Sequence, residues 1–218
     1  MKPSSRRATG PGTRSRAGNI IVISAPSGTG KSTVAKRVVA SVSGLRFSIS
    51  HTTRLPRTGE QNGREYFFTS AARFKRMVAA GDFVEWAKVY GHLYGTTWNQ
   101  LHHVLEGGKD VVLDIDVQGH AQVRRRLPEA LSIFLLPPSF PELARRLRRR
   151  HSDPADMIAS RLAMARKEIS HWSDYDYLIV NDRIPSAVQA AKTVVLAARF
   201  RRQNQRGLVG DICRTFGG

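Results

Sequence analysis

Short apolar runs alternate along the chain with longer segments of helical periodicity. Residues 19–24 form the first run, which is rich in β-branched residues and typical of a strand buried on both faces. Similar runs lie at 110–116, 131–136 and 177–180. Because helical segments separate these runs, the pattern predicts an α/β fold built on a parallel sheet.

Two helices after the run at 131–136 are marked by their start signals. Ser139 and Glu142 have the spacing of a capping box, which predicts a helix start near Ser139. Asp153 followed by Pro154 predicts the next start, with aspartate as the N-cap and proline at the first helical position. The apolar stripe predicted for this second helix consists of Ile158, Leu162, Ala165 and Ile169.

Residues 51–100 have a different pattern. Short alternating segments at 64–68 and 83–90 lie on either side of a helix predicted at about 70–80. Turn signals such as Asn62-Gly63 separate them. This segment is therefore predicted to be a small mixed α+β insertion in the parallel core.

Length and composition limit the class of protein. The 218 residues suffice for one core with an inserted subdomain. No apolar run approaches the ~20 residues that a membrane span requires, so no membrane association is expected. The single cysteine, Cys213, excludes an intrachain disulfide and favours a reducing compartment, which we expect to be the cytoplasm.

The chain is strongly basic, with a formal net charge of +18. Arginines cluster at 124–126 and 145–150. A basic, solvated surface accounts for most of this charge, and part of the second cluster is expected to contact nucleotide phosphates. We do not expect nucleic-acid binding, because no helix-turn-helix, zinc-finger or RNA-binding-domain pattern accompanies the charge.

A glycine-rich loop directly follows the first predicted strand. Residues 24–33 read SAPSGTGKST, and residues 32–39 have apolar positions at helical spacing. Strand, glycine loop and helix form the context in which a P-loop binds phosphate. Ala25 replaces the first glycine of the general pattern, but the other motif positions are present. In a P-loop, Lys31 reaches the β- and γ-phosphates and Ser32 ligates Mg²⁺.

A second basic segment lies close to this loop. Residues 50–57 read SHTTRLPR, in which Arg54 and Arg57 can form an anion site. An arginine-based anion site near a P-loop indicates that a second phosphate-bearing molecule occupies the same cleft. The combination predicts a phosphoryl-transfer enzyme.

An ordered set of motifs, covering roughly residues 19–203, resembles guanylate kinase. The resemblance implies a P-loop nucleoside monophosphate kinase core of three layers, with a GMP-binding insertion and a helical lid. It also implies transfer of the γ-phosphoryl group of ATP to GMP, and to dGMP, with Mg²⁺. The motifs that carry the resemblance lie at 25–32, 50–57, 65–68, 94–96, 113–119, 136–139 and 179–182.

The family includes monomers and oligomers, so a homo-oligomer is left open.

The resemblance also implies a domain organisation. A final helix is predicted at about 185–203, before a glycine-rich end. The predicted boundaries are a disordered basic tail at 1–18, core segments at 19–50 and 101–204, a GMP-binding insertion at 51–100, a lid at about 140–165 and a tail at 205–218.

The acceptor-side roles follow from the same resemblance. Guanine has N–H donors at N1 and N2 where adenine has none, so a carboxylate acceptor, assigned to Glu85, favours GMP over AMP. Arginine forks and phenol hydroxyls suit a phosphate that must be fixed for in-line attack. The GMP-binding residues implied are Ser50, Arg54, Arg57, Tyr66, Glu85, Tyr94, Thr96 and Asp116.

The donor side and the lid are assigned in the same way. The ATP-binding residues implied are Ala25, Pro26, Ser27, Gly28, Thr29, Gly30, Lys31, Ser32, Thr33 and Asn181. Ser32 and Asp114 are the implied Mg²⁺ residues. The catalytic residues implied are Lys31, Arg54, Arg146, Arg150 and Arg161. The lid departs most from the family, because Arg149 and His151 stand where glycines are common, and its hinge behaviour is left open.

Three alternatives are weighed against this interpretation. A P-loop kinase for sugar phosphates would need neither Glu85 nor the 50–57 segment. A guanylate-kinase-like protein-binding module without activity would usually have lost the loop lysine, which this chain keeps as Lys31. Recruitment of nucleic acid by the basic surface could coexist with kinase activity.

Overall fold

The computed structural model describes residues 18–149 and 154–216. The tail predicted at 1–18 therefore lies almost entirely outside the described residues. In chain order the elements are β1 (Ile20–Ser24), α1 (Lys31–Ser41), β2 (Leu45–Phe47), β3 (His51–Thr52), β4 (Phe67–Phe68), α2 (Ala71–Ala79), β5 (Phe83–Val89), β6 (His92–Thr97), α3 (Trp98–Glu106), β7 (Asp110–Asp114), α4 (Val117–Arg126), β8 (Leu131–Leu136), α5 (Phe140–Arg148), α6 (Ala155–Glu168), a 3₁₀ segment (Ile169–Asp174), β9 (Tyr177–Val180), α7 (Ile184–Ala198) and α8 (Arg202–Thr215).

Five strands form a parallel sheet in the order β2-β7-β1-β8-β9. β1 lies at the centre and is buried at every position. Its side chains alternate between two apolar clusters, because successive residues of a strand point to opposite faces. Ile21 and Ile23 pack with α1 and α7, whereas Ile20 and Val22 pack with α3 and α4. The predicted three-layer α/β core is confirmed.

The second sheet has the order β4-β3-β6-β5. β5 and β6 form an antiparallel hairpin, while β3 pairs in parallel with β4. The helix predicted at about 70–80 is confirmed as α2, whose N-cap Ser70 accepts a hydrogen bond from the Arg73 N–H. Phe74 of α2 stacks on Phe83 of β5 with ring centroids 4.4 Å apart, which attaches the helix to the sheet.

The two helices in the segment predicted to be a lid, α5 and α6, differ in how well their starts were predicted. Ser139 is the N-cap of α5 and accepts a hydrogen bond from the Glu142 N–H, as predicted. Pro154 is itself the N-cap of α6, so its predicted place at the first helical position is wrong by one residue. Pro154 has an extended backbone with ψ 156, which is a capping rather than a helical conformation. Asp153 lies outside the described residues.

The apolar stripe predicted for α6 is largely correct. Ala165 is buried against Leu143 and Leu147 of α5, and Ile158 and Leu162 pack around them. Ile169 is the exception, because the chain changes to the 3₁₀ segment at that residue and leaves its side chain 39% exposed. α5 and α6 therefore bury a small cluster of their own.

The carboxyl-terminal region departs most from prediction. α7 ends at Ala198 instead of about 203, and α8 occupies most of the segment predicted to be a tail. Gly207 and Gly210 lie inside α8, and glycines in a helix interior lower its apparent propensity, which explains the error. The first turn of α8 is attached to the core by Asn204, which donates to Asn19 Oδ1 at 2.6 Å.

β9 is more exposed than its apolar sequence predicts. It is the last strand of the parallel sheet, and only Ile179 is buried, whereas Leu178 is 44% exposed. A strand at the edge of a sheet lacks a neighbour on one side, so an apolar run does not by itself indicate burial on both faces. Among the described residues, no helix is long and apolar enough to cross a membrane.

Candidate active site

The glycine loop leaves β1 and enters α1 with the backbone geometry of an anion site. Gly28 has φ +92 and Gly30 has φ +96, a region that L side chains rarely adopt. Gly30 is also the N-cap of α1. A Cβ atom at Gly30 would lie 2.9 Å from Nδ2 of Asn181, so no other residue fits without displacement. The loop therefore directs the free N–H groups of the first turn of α1 towards the cleft.

Asn181 lies behind this loop and is completely buried. Its Nδ2 donates to the carbonyl of Thr29 at 2.7 Å, and its backbone N–H donates to Leu136 of β8. The side chain expected to contact ATP thus supports the conformation of the loop itself. Its contact with adenine stays a prediction.

A contact between Lys31 and Asp114 connects the glycine loop to the end of β7. Lys31 Nζ lies 2.7 Å from Asp114 Oδ1 and donates to the carbonyl of Ile115 at 2.8 Å. The hydroxyl of Ser32 is exposed in the first turn of α1. A hydroxyl and a carboxylate are the hard oxygen donors that Mg²⁺ prefers beside substrate phosphates, so this donor pair fits the ion. Within residues 18–149 and 154–216, no three histidine, cysteine or acidic side chains converge as an all-protein metal site.

A cleft of about 510 Å³ opens beside the loop. This volume lies in the range of nucleotide-sized ligand sites. Arg146 is fixed at its wall, since it pairs with Glu142 at 2.6 Å and donates to the carbonyls of Asn181 and Asp182. The two neighbouring arginines lower the pKa of Glu142 to about 2. The cleft is lined by Gly28, Thr29, Gly30, Glu142, Arg145, Arg146, Arg149, Asp182 and Ile184.

The predicted lid arginines have different positions. Arg146 lies at the donor cleft on α5, whereas Arg161 lies on α6 and faces the second sheet. The guanidinium carbon of Arg161 is 5.3 Å from the centroid of the Tyr90 ring, which is a cation–π distance. Arg150 lies outside the described residues.

Arg54 is the centre of the candidate acceptor-phosphate site. Its guanidinium pairs with Glu60 at 2.9 Å and lies 5.5 Å from the centroid of the Tyr66 ring. The ring of Tyr94 belongs to the same group, since its centroid lies 5.9 Å from that of Tyr66. Burial raises the pKa of Tyr66 to about 12, so its hydroxyl stays a donor at neutral pH. Arg57 is exposed, and its side chain does not join the Arg54 group.

Glu85 lies on β5 and is only 3% exposed. Its Oε1 has no hydrogen-bond partner among the described residues, and burial raises the pKa of this carboxyl to about 7. Ser50 and Thr96 are hydrogen-bonded to each other at 3.1 Å, and Thr96 pairs with Glu85 across the β5–β6 hairpin. A buried acceptor without a partner is costly unless a ligand satisfies it.

Asp116 has a structural role that the sequence did not indicate. It is the N-cap of α4, and its Oδ1 accepts a hydrogen bond from the Gly119 N–H at 2.9 Å. Gln118 donates to the other oxygen at 3.0 Å. Its predicted contact with guanine would have to be made with both oxygens already bonded.

The sequence profile of guanylate kinase matches residues 17–198, most of the chain. The chain belongs to the guanylate kinase family. A guanylate kinase of Koribacter versatilis (strain Ellin345) is 50% identical over 191 residues, covering 86% of this chain and 82% of the relative. One of Gluconobacter oxydans (strain 621H) is 48% identical over 202 residues, covering 92% and 97%. The crystal structure of guanylate kinase from Anaplasma phagocytophilum superimposes with a TM-score of 0.72 at 33% identity, covering 87% and 90%.

Glu168 is a residue at this guanylate kinase site that the sequence analysis missed. It ends α6, is buried, and accepts a hydrogen bond from the Ser27 N–H of the loop at 3.1 Å. Burial raises the pKa of its carboxyl. The sequence did contain a signal for this role. Glu168 lies three residues after Ala165, on the buried side of the helix, and a buried charged side chain needs a bonding partner.

Glu60 and Tyr90 were also missed. Glu60 pairs with Arg54 from a loop without periodicity, so no sequence pattern indicated it. Tyr90 has φ +47 in the turn between β5 and β6, an uncommon conformation for a bulky residue. Only the structure shows that this turn presents the ring to Arg161.

Proposed function

We propose that the chain transfers the γ-phosphoryl group of ATP to GMP, giving ADP and GDP, through the residues assigned above. The observation that supports these assignments best is Glu85, a buried carboxylate whose open oxygen matches the N–H donors of guanine. AMP has no such donors, so it would leave the carboxylate unpaired. Membership of the guanylate kinase family supports the same reaction.

On the acceptor side, Arg54, Tyr66 and Tyr94 hold the phosphate of GMP, with Arg57 reaching it from the exposed loop. Ser50, Thr96 and Asp116 complete the guanine pocket around Glu85. The assigned residues are expected to contact the base and the phosphate, which dGMP shares with GMP, and we propose dGMP as a second acceptor. Fixing both ends of the nucleotide aligns its phosphate oxygen for in-line attack.

On the donor side, the N–H groups of the loop and the ammonium of Lys31 hold the phosphates of ATP. Lys31 exchanges its contact with Asp114 for the β- and γ-phosphates. Ser32 and Asp114 would hold Mg²⁺, which supplies charge neutralisation between the phosphates when bound. Arg146, Arg150 and Arg161 bring further positive charge to the transferred group, where negative charge is spread in the transition state.

The reaction also suggests the cellular compartment in which the protein acts. Both substrates are nucleotides of the cytoplasm, where we place the protein. Light scattering would measure whether the protein is a monomer or a homo-oligomer, since the family includes both.

An assay of ADP release with Mg-ATP tests the function. GMP, AMP, CMP and UMP are supplied at matched concentration, and we expect turnover with GMP alone among the four. Turnover with AMP at a similar rate would contradict the guanine pocket. No turnover with any of them, from folded protein that binds ATP, would favour a sugar-phosphate acceptor or a binding module instead.

A further inference from the structure

β5 lies at the edge of the second sheet, and its free edge is bonded by side chains of a helix. β6 pairs with β5 on one side, while α4 lies against the other. Gln122 of α4 accepts a hydrogen bond from the Trp86 N–H at 3.2 Å and donates to the Trp86 carbonyl at 2.6 Å. A single side-chain amide thus makes both hydrogen bonds that a neighbouring strand would supply.

Arg126 bonds the same edge one helical turn further along. Its guanidinium donates to the carbonyls of Phe83 and Val84 at 2.7 and 2.8 Å. The register of the hairpin shifts between Phe83 and Glu85, so the two carbonyls are next to an irregularity of the strand. Arg126 and Gln122 therefore bond the backbone directly before and directly after Glu85.

Gly119 completes this face of α4. A Cβ atom at Gly119 would lie 2.5 Å from Glu85 Oε2, so the absence of a side chain provides the space in which the carboxylate lies. Gly119, Gln122 and Arg126 are spaced by three and four residues, which places them on one side of the helix. The face that they form is called the α4 clamp below.

We propose that the α4 clamp is a positioning element that sets the register and depth of the Glu85 carboxylate, and thereby the preference for guanine. None of its three members needs to touch the nucleotide. α4 starts three residues after Asp114, the partner of Lys31, so the clamp also fixes the guanine pocket relative to the phosphate loop. The inference rests on the proposed role of Glu85.

Adjacent arginines of α4 provide a matched test. Arg126→Met removes the clamp contacts, and Arg125→Met makes the same change in charge and shape at an exposed neighbour. A small displacement of a binding group greatly weakens the contact that it makes with the substrate. We therefore expect Arg126→Met to raise the KM for GMP about tenfold. The ratio of kcat/KM for GMP to kcat/KM for AMP should fall by a similar factor. The KM for ATP should not change. Arg125→Met should behave as the wild type.

Gln122→Met provides a second, uncharged probe of the clamp, and Glu85→Gln tests the group that the clamp holds. Gln122→Met should lower the GMP-to-AMP ratio while the thermal midpoint shows that the protein is folded. Arg126→Lys, which keeps a donor near both carbonyls, should restore part of the preference.

Two outcomes would overturn the inference in different ways. If the clamp variants lose thermal stability but keep the wild-type GMP-to-AMP ratio, while Glu85→Gln loses it, the clamp is merely structural and the proposed function stands. If Glu85→Gln also keeps the ratio, the proposed role of Glu85 fails, and the positioning role fails with it.

Discussion

The two phosphate sites of this molecule are built from different kinds of group. The proposed donor site is mainly a backbone structure, with Gly28 and Gly30 at positive φ and α1 starting at the loop, and Lys31 is its one paired cation on the loop, held by Asp114. The acceptor site is a side-chain structure, with Arg54 already paired with Glu60. Backbone dipoles need no counter-charge, whereas a side-chain cation lies beside its own carboxylate until a phosphate competes for it.

The difference predicts how the two sites respond to ligand. Asn181 supports the loop from behind, so we expect the ATP phosphates to meet a preformed backbone site in which Lys31 alone exchanges its partner Asp114. At the proposed acceptor site, Arg54 would be shared between Glu60 and the phosphate of GMP, so we expect its side chains to become ordered on binding. Mutations should therefore act differently on the two sides, and the following experiments are arranged from the largest expected effect to the smallest.

Lys31→Ala should have the largest effect. It removes the side-chain cation of the loop that is proposed to hold the β- and γ-phosphates, and it leaves Asp114 without this partner. We expect kcat to fall by about 10³-fold, in line with the loss of a group that stabilises transition-state charge. The assay is ADP release at saturating GMP, with Lys36→Ala, an exposed change on the same helix, as the control. Wild-type turnover from the Lys31 variant would contradict the phosphate role.

Arg54→Ala tests the acceptor side at its equivalent position. We expect kcat/KM for GMP to fall by about 10²-fold, because a charge-assisted fork that orients the phosphate is lost. The KM for ATP should change little. Arg57→Ala should have a smaller effect, since Arg57 is exposed and outside the aromatic group around Arg54. Equal losses from both variants would show that the two arginines are equivalent, contrary to the geometry.

The pH dependence of Glu85 distinguishes the base pocket from both phosphate sites. Its pKa is raised from 4.5 to about 7 because burial disfavours the charged form. Between these two values the folded protein holds a proton on Glu85 that the unfolded chain has released, so the contribution of Glu85 to the free energy of unfolding should fall as pH rises through this window. His51 and His120 contribute the opposite slope, because burial lowers the pKa of both side chains. Guanine binding needs the ionised acceptor, so the KM for GMP should fall as pH rises through about 7.

Glu85→Gln is the control for this pH dependence. The contribution of residue 85 to both trends should be absent from this variant, because its side chain does not titrate. Denaturant unfolding and GMP kinetics at pH 5.5 and 8, measured on the wild type and the variant, would show it. Parallel pH curves for the two proteins would place the titration on another group.

Tyr90→Asn should have the smallest effect. It tests the contact between Arg161 of α6 and the turn between β5 and β6. Asparagine tolerates positive φ better than tyrosine, so thermal stability should stay the same or rise. The ring under Arg161 is lost, and we expect kcat to fall about threefold, in keeping with one exposed cation–π contact. Tyr90→Phe keeps the ring and should retain full activity. A loss of activity in the phenylalanine variant would assign the effect to the hydroxyl instead.

Local sequence predicted the features that depend on neighbouring residues. The apolar runs at 20–24, 110–114 and 131–136 are strands of one parallel sheet, because burial on both faces imposes an apolar sequence. Ser139 could be predicted as an N-cap because its hydrogen-bond partner, Glu142, is only three residues away in the sequence. The strand at 177–180 is confirmed as β9, but its expected burial is wrong because β9 lies at the edge of the sheet. The tail predicted after the last helix is also wrong, since the segment forms α8 despite its glycines.

The sequence by itself determined the donor loop, since its geometry comes from the φ values that contiguous residues, chiefly Gly28 and Gly30, allow. Only the tertiary structure decided the acceptor side, because its groups come from separate elements. Glu85 meets Gly119 of α4 only after β5 packs on that helix, and Arg161 meets the turn after β5 only through the placement of α6. Backbone conformation is encoded locally, whereas convergence of side chains depends on how the elements pack.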